Sequence, residues 1–225
     1  MNYLFNGVSL QNGRNMNMDS LLLKCGKIET KDALLAVICD GVGSLADGAF
    51  ASGTAVRLLS KWFDGIATTQ RIGLKLRDAI LDINATIVTE AKQNKMDTAS
   101  TLSALLLLDH EYFFVHIGDS RIYCCENGAV SVLTSDDVSE SGKLTAYIGR
   151  KEEIFLQYAE GEATGKTFLV CSDGLYKRMD MGFLTSKIKS LNKRTLKELI
   201  EDLPKSVIER GEQDNISLAL VKIEG

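Results

Sequence analysis

Short, strongly apolar runs alternate along the chain with longer amphipathic stretches. The apolar runs are rich in leucine, aromatic and β-branched residues, and they predict strands. They are SLLLKC near Ser20, LLAVICD ending at Asp40, TLSALLLLD ending at Asp109 and YFFVHIGD ending at Asp119. SRIYCCE from Ser120, AVSVLT from Ala129, TFLVCSD ending at Asp173 and NISLALVKI near the C-terminus follow. Two links are short enough for hairpins: Asp109-His110-Glu111, and Asn127-Gly128, whose residue types suit the positive φ angles of a tight turn.

Helical periodicity fills the gap between the strands at Asp40 and Thr101. One pattern runs from Asp47 to Trp62 and a second from Arg71 to Lys92, where Ile72, Leu76, Ala79, Ile80, Ile83, Ile87 and Ala91 share one face. A later helix is predicted from Thr195 as N-cap through Leu196, Leu199 and Ile200, with Pro204 opening a fresh turn after a break. Grouped strands with helices between them predict antiparallel sheets covered by helices, a layered α+β sandwich, not a βαβ repeat.

At 225 residues the chain suits one domain, and we take residues 1–225 as a single unit. A net charge of −4 lacks the basic bias that nucleic-acid binding requires. No basic segment precedes a long apolar core at the N-terminus, and no run reaches the ~20 apolar residues of a membrane span. A cytoplasmic protein without a membrane partner is therefore expected. The five cysteines form no C-x-x-C pair, and Cys39 and Cys171 sit in apolar runs, so buried free thiols are expected.

Three apolar strands end in an aspartate beside a glycine: Asp40-Gly41, Gly118-Asp119 and Asp173-Gly174. Asp214 precedes the last strand and Asp19 precedes SLLLK. One Asp-Gly is usually a turn. Several carboxylates held on rigid strand ends repel one another and are costly to desolvate, so gathering them calls for cations. Oxygen ligands select magnesium, manganese or calcium, and no histidine or cysteine cluster speaks for zinc. His110 and His116 lack the H-E-x-x-H spacing and read as structural. Gly161 to Thr167, GEATGKT, is one residue short of a P-loop and leads into a strand, so it reads as a turn. Arg121 beside an acidic residue is expected to pair with a carboxylate, and Trp62 to sit in the core.

Taken in order, six segments resemble the motif series of the type 2C, metal-dependent serine/threonine protein phosphatases, in a short bacterial-like form. They are GRNMNMD (Gly13 to Asp19), CDGVG (Cys39 to Gly43), ASTL (Ala99 to Leu102), GDSR (Gly118 to Arg121), CSDGL (Cys171 to Leu175) and QDN (Gln213 to Asn215). The resemblance implies a four-layer α-β-β-α sandwich of two antiparallel sheets flanked by helix pairs. It also implies two Mn2+ or Mg2+ ions at one end. By motif position Asp40 would bridge the ions, the Gly41 carbonyl would bind one, and Asp173 and Asp214 would complete the other. Asp119 matches a ligand of a weaker third ion, Arg14 matches the arginine that grips the substrate phosphate, and Asp19 closes the first acidic motif and counts with the others as a metal-ligating residue. The implied reaction is attack on a phosphoserine or phosphothreonine by a water that the metals acidify. The implied partner is a phosphoprotein made by a serine/threonine kinase, and we expect a monomer.

Four positions depart from the family pattern. Met18 stands where a glutamate is usual and offers no side-chain oxygen. Val42 stands where some members carry a proton-donating histidine, leaving water as the donor. Ser44 and Ala99 replace common glycines. The segment from Thr134 to Gly149 falls where the family has its substrate-side flap. Met18 favours a rival reading, a catalytically weak relative that binds metal or a phosphoprotein as a regulatory module. The motifs describe only the phosphate end of a site, so a small phosphorylated metabolite is a further alternative substrate.

Overall fold

A computed structural model describes residues 2–151 and 153–224. Three strands open the chain: β1 (Asn2–Leu10), β2 (Asp19–Ile28) and β3 (Lys31–Asp40). Two long helices follow, α1 (Gly48–Asp64) and α2 (Ile72–Asn94). Next come β4 (Leu102–Leu108), β5 (Glu111–Ile117), β6 (Arg121–Glu126), β7 (Ala129–Val132), β8 (Gln157–Glu162) and β9 (Thr167–Cys171). The chain closes with α3 (Asp173–Tyr176), α4 (Met181–Ile188), α5 (Lys193–Glu209) and β10 (Ile216–Glu224).

The strands form two antiparallel sheets, one ordered β1-β10-β9-β6-β7 and the other β2-β3-β4-β5-β8. Alternation along each central strand divides the interior into layers. On β3, Leu34, Ala36 and Ile38 face the second sheet, together with Phe168 and Val170 of β9 and Ala219 and Val221 of β10. The alternate residues Ala33, Leu35, Val37 and Cys39 pack beneath α1 and α2, against Leu59, Leu76, Ile80 and Ile87. On the far side Leu169, Leu218 and Leu220 meet Leu184 of α4 and Leu199 and Leu203 of α5. Burial on both faces explains why these strands read as continuous apolar runs. The observed architecture is the expected four-layer sandwich, and Trp62 packs against the helix-side core.

Both predicted hairpins form. Asp109 takes φ 49°, and Asn127 and Gly128 take φ 51° and 79°. The structure corrects the reading in several places, and it adds the short helices α3 and α4, which were not predicted. Strands β1 and β8 were not predicted. The N-cap of α5 is Asn192, whose side chain accepts from Arg194 N and Thr195 N, while Thr195 completes a capping box from inside the helix. Pro204 lies within α5 and does not start a new turn. Buried Leu199, Leu203 and Val207 hold that helix to the sheet on either side of the proline.

Candidate active site

The register of β2 on β3 places Asp19 directly opposite Asp40, so two carboxylates from separate strands share one end of one sheet. Asp40 is fixed by its neighbours in β4's approach. Its backbone N donates to Thr101 Oγ1 at 2.9 Å, and its carbonyl accepts from Ser100 Oγ at 2.9 Å and from Thr101 N at 2.9 Å. Gly41 then turns the chain where no side chain fits, because a Cβ there would lie 2.6 Å from the Gly48 carbonyl oxygen and 2.7 Å from that of Met18.

Asp119 follows β5 across Gly118, which takes φ 108° and whose N donates to Asp137 Oδ2 at 2.8 Å. Asp173 opens α3 just past β9. A Cβ on Gly174 would stand 2.0 Å from the Asn215 carbonyl oxygen, so the start of α3 rests on the backbone beside Asp214. That close approach brings Asp173 and Asp214 together. Arg14 arrives from the β1–β2 loop and forks onto Asp214, with Nε donating to Oδ1 at 2.8 Å and a terminal nitrogen to Oδ2 at 2.6 Å. Asn215 holds that loop in place by donating to the Gln11 and Met16 carbonyls and accepting from Met18 N.

The carboxylates share one field. Asp40 is raised well above the ordinary carboxylate range by burial, then by the charges of Asp19, Asp173, Asp119 and Asp214. Asp19 is pushed up to about 6 by burial, against the hydroxyls of Ser217 and Ser172 that lower it. Asp119 is likewise raised to about 6 by burial and by Asp173, with Lys177 acting in the opposite direction. Burial is the largest influence on Asp214 and raises it, but the Arg14 hydrogen bond, the Asn215 backbone N–H and the charges of Arg14 and Lys177 together outweigh it and leave the group below its usual value.

These residues fit the divalent ions that the motif series implies. The donor set is all oxygen. Asp19 is 7% exposed, Ser172 donates to its Oδ2 at 2.9 Å, and its Oδ1 is buried with no hydrogen-bond partner. A buried carboxylate oxygen without a donor is costly unless a cation meets the charge. Among the described residues no three acidic, histidine or cysteine side chains form a ready-made cage. Two of the five carboxylates are instead turned onto the protein's own cations, Asp214 onto Arg14 and Asp173 onto Lys177.

The chain matches the protein phosphatase 2C family over residues 9–220. It belongs to that family. It is 30% identical to the serine/threonine phosphatase stp of Listeria monocytogenes, over 88% of each chain. Its fold is similar to that of serine/threonine phosphatase Stp1 from Staphylococcus aureus, with a TM-score of 0.89 at 19% identity over 100% of this chain and 96% of the other. It is also similar in fold to the catalytic domain of the serine threonine protein phosphatase PstP in complex with two manganese ions, with a TM-score of 0.84 at 22% identity over 99% of each chain.

Within this phosphatase 2C framework, sequence reasoning missed several supporting residues. Lys177 was not singled out, although its i,i+4 spacing from Asp173 on a helical turn was a usable signal. Arg121 pairs with a carboxylate as expected, and the partner is Asp136, held through two bonds of 2.9 and 2.7 Å. The same guanidinium lies 3.9 Å over the Tyr176 ring, tying the flap segment to α3. Asp137 closes the flap onto Gly118, its N donating to the Gly118 carbonyl at 2.7 Å. Only through-space pairing reveals these contacts.

Met18 contributes through its backbone, its carbonyl accepting from Ser52 Oγ at 2.6 Å and from Gly41 N at 3.2 Å. Beside Val42 a cavity of about 370 Å3 opens between the Asp-Gly loop and the flap, lined by Ser44, Lys143, Tyr147 and Arg150 among others. His116 is structural, bonded to Ser103 Oγ and the Gly118 carbonyl and held low by burial. All five cysteines are free thiols. Cys39, Cys124, Cys125 and Cys171 are buried as expected, whereas Cys25 is exposed. The residues Gly161 to Thr167 run from β8 through a turn into β9, so no helix N-terminus follows the P-loop-like string.

Proposed function

We propose that this chain is a metal-dependent phosphatase that removes phosphate from serine and threonine in proteins. The observation that carries the reading is the convergence of Asp19, Asp40, Asp119, Asp173 and Asp214 on one charge field beside Arg14. In this reading Asp40, the Gly41 carbonyl, Asp173 and Asp214 would hold two ions. Asp119 would hold a weaker third ion, and Asp19, opposite Asp40 on β2, would be a further metal ligand. The ions are manganese or magnesium. When bound, they acidify water toward hydroxide and neutralise charge on the phosphoryl oxygens.

The protein's own residues do the positioning. Arg14 is 55% exposed and already presents its planar fork to a carboxylate, so the same two nitrogens can turn to two phosphoryl oxygens. In-line hydrolysis breaks the bond between phosphorus and the seryl oxygen while water supplies the new oxygen. Val42 offers no proton to the departing alkoxide, so solvent supplies it. The cavity between Val42 and Tyr147 is where residues flanking the phosphoamino acid would lie.

Residues 1–225 act as one catalytic unit, a cytoplasmic monomer in this reading, opposing a serine/threonine kinase. Among the described residues no helix is long and apolar enough to cross a membrane. A second reading, a metal- or phosphoprotein-binding regulatory module, draws on Met18 in place of an acidic residue. Hydrolysis of a phosphothreonine peptide with Mn2+, Mg2+ or chelator separates the two. We expect metal-dependent turnover that Asp40→Asn and Asp173→Asn each reduce more than about 100-fold. Metal binding without turnover would favour the regulatory module, and turnover indifferent to chelator and to both substitutions would reject the mechanism.

A further inference from the structure

A cavity of about 750 Å3 lies at the end of the sandwich remote from the carboxylates. Its walls are residues 3–6 of β1, residues 25–27 of β2, Asp32, and Lys193 and Lys197 of α5. Gly26 is seven residues along β2 from Asp19, roughly 23 Å at strand spacing, so the two sites are separate.

Two features of the walls point to one kind of occupant. The first is an open backbone edge. β1 and β2 are each the outermost strand of their sheet, so each pairs on one side only. Alternate residues of such a strand direct N–H and C=O groups outward, a template for another strand. Edges are ordinarily guarded by charge or proline, yet the sequence of β1, NYLFNGVSL, contains neither. Gly7 lies close against β2, where a Cβ would meet Leu23 at 2.8 Å, and Leu4 packs with Leu196 of α5, so the edge is held rigid by both neighbours.

The second feature is charge. Lys27, Lys193 and Lys197 line the cavity against Asp32 alone, and Asp32 already lies 3.6 Å from Lys27. Lys193 and Lys197 are one turn apart near the start of α5, where like charges at i,i+4 repel each other and the helix dipole is also positive. Neither makes an ion pair among the described residues, although the chain as a whole carries a net charge of −4. An anionic group between them would relieve both repulsions.

We infer that this groove captures an extended acidic segment of a partner protein, which adds as a strand to β1 and sets its carboxylates against Lys193 and Lys197. Main-chain bonds supply affinity, and the lysines select acidic side chains. The inference is independent of the phosphatase chemistry.

Cys25 lines the groove and is the exposed thiol among the five cysteines, which makes its alkylation rate a direct gauge of occupancy. The probe is a peptide of alternating valine and glutamate about eight residues long, the length of an ordinary strand. It should slow Cys25 alkylation in the full chain. Replacing its glutamates by glutamine, or methylating alternate backbone nitrogens, should weaken protection about tenfold or more. The K193Q/K197Q double variant, altered only at exposed positions, should lose affinity about tenfold while hydrolysing an aryl phosphate like the wild type. Equal protection by the glutamine peptide, by the N-methylated peptide or by inorganic phosphate alone would overturn the inference. So would undiminished binding by the folded double variant.

Discussion

Replacing Asp19 by asparagine should make the metal-free protein more stable and the metal-loaded protein less so. Asp19 is 7% exposed, its Oδ1 has no hydrogen-bond partner, and its carboxyl is raised from 3.8 to about 6, mainly by burial. At about 1.36 kcal/mol for each tenfold change in proton affinity, holding the charged form near neutral pH costs the folded chain about 3 kcal/mol. The sign follows from proton counts. Between 3.8 and about 6 the folded state binds more protons than the unfolded one, so metal-free stability falls as pH rises through that window and then levels off.

Asparagine carries no charge at any pH, and its amide oxygen can still accept from Ser172. In chelator at about pH 7.5, Asp19→Asn should therefore raise Tm by about 6–12 °C, from about 2–4 °C per kcal/mol for a chain of this size. Near pH 4 the advantage should shrink below about 1 kcal/mol. Added Mn2+ should raise the wild-type Tm much more than that of the variant, because the ions act on a charge the variant lacks. Thermal melts followed by circular dichroism under these three conditions give the answer. A variant that melts at or below wild type in chelator near neutral pH, or that gains equally near pH 4, would refute the reasoning.

Arg14→Ala should raise KM about tenfold with a smaller effect on kcat, because the guanidinium binds phosphate in ground and transition states alike. A loss confined to kcat in steady-state kinetics would contradict that role. Lys177→Ala should tighten Mn2+ binding by up to about fivefold, since the pair it breaks with Asp173 is partly exposed and worth about 0.2–1 kcal/mol. Weaker binding by titration calorimetry would show that Lys177 supports the site. Gly174→Ala should cost about 1–3 kcal/mol and weaken metal binding, because its Cβ would lie 2.0 Å from the Asn215 carbonyl. Gly43→Ala, with nothing within 4 Å of its Cβ, is the neutral control, and equal melting temperatures for the two variants would refute the packing argument.

Asp40, Asp119, Asp173 and Asp214 were legible in the sequence because each stands beside the end of a largely buried strand that reads as an apolar run, whereas Asp19 opens the partly exposed edge strand β2. β3 and β9 are of this kind, and their ends fix Asp40 and Asp173. β1 escaped because Asn6 and Gly7 interrupt its apolar pattern, and β8 because QYAEGE is a polar edge strand. The cap of α5 was misplaced by three residues because Asn192 and Thr195 bond to each other's backbone, so either residue type reads as a cap. In the site, Asn215 lay within a quoted motif without a role until the loop it anchors was seen. Asp136 meets Arg121 through side-chain geometry that no local pattern encodes, whereas Lys177 carried a signal in its i,i+4 spacing from Asp173.

The central claim is that Asp40, Asp173 and Asp214, distant in sequence, hold divalent ions in common. Anomalous scattering from crystals grown with manganese tests it most directly. The account predicts strong peaks within coordination distance of all three carboxylates, lost in Asp40→Asn. Crystals with no manganese at this end of the sandwich, or with peaks unaffected by that substitution, would contradict it.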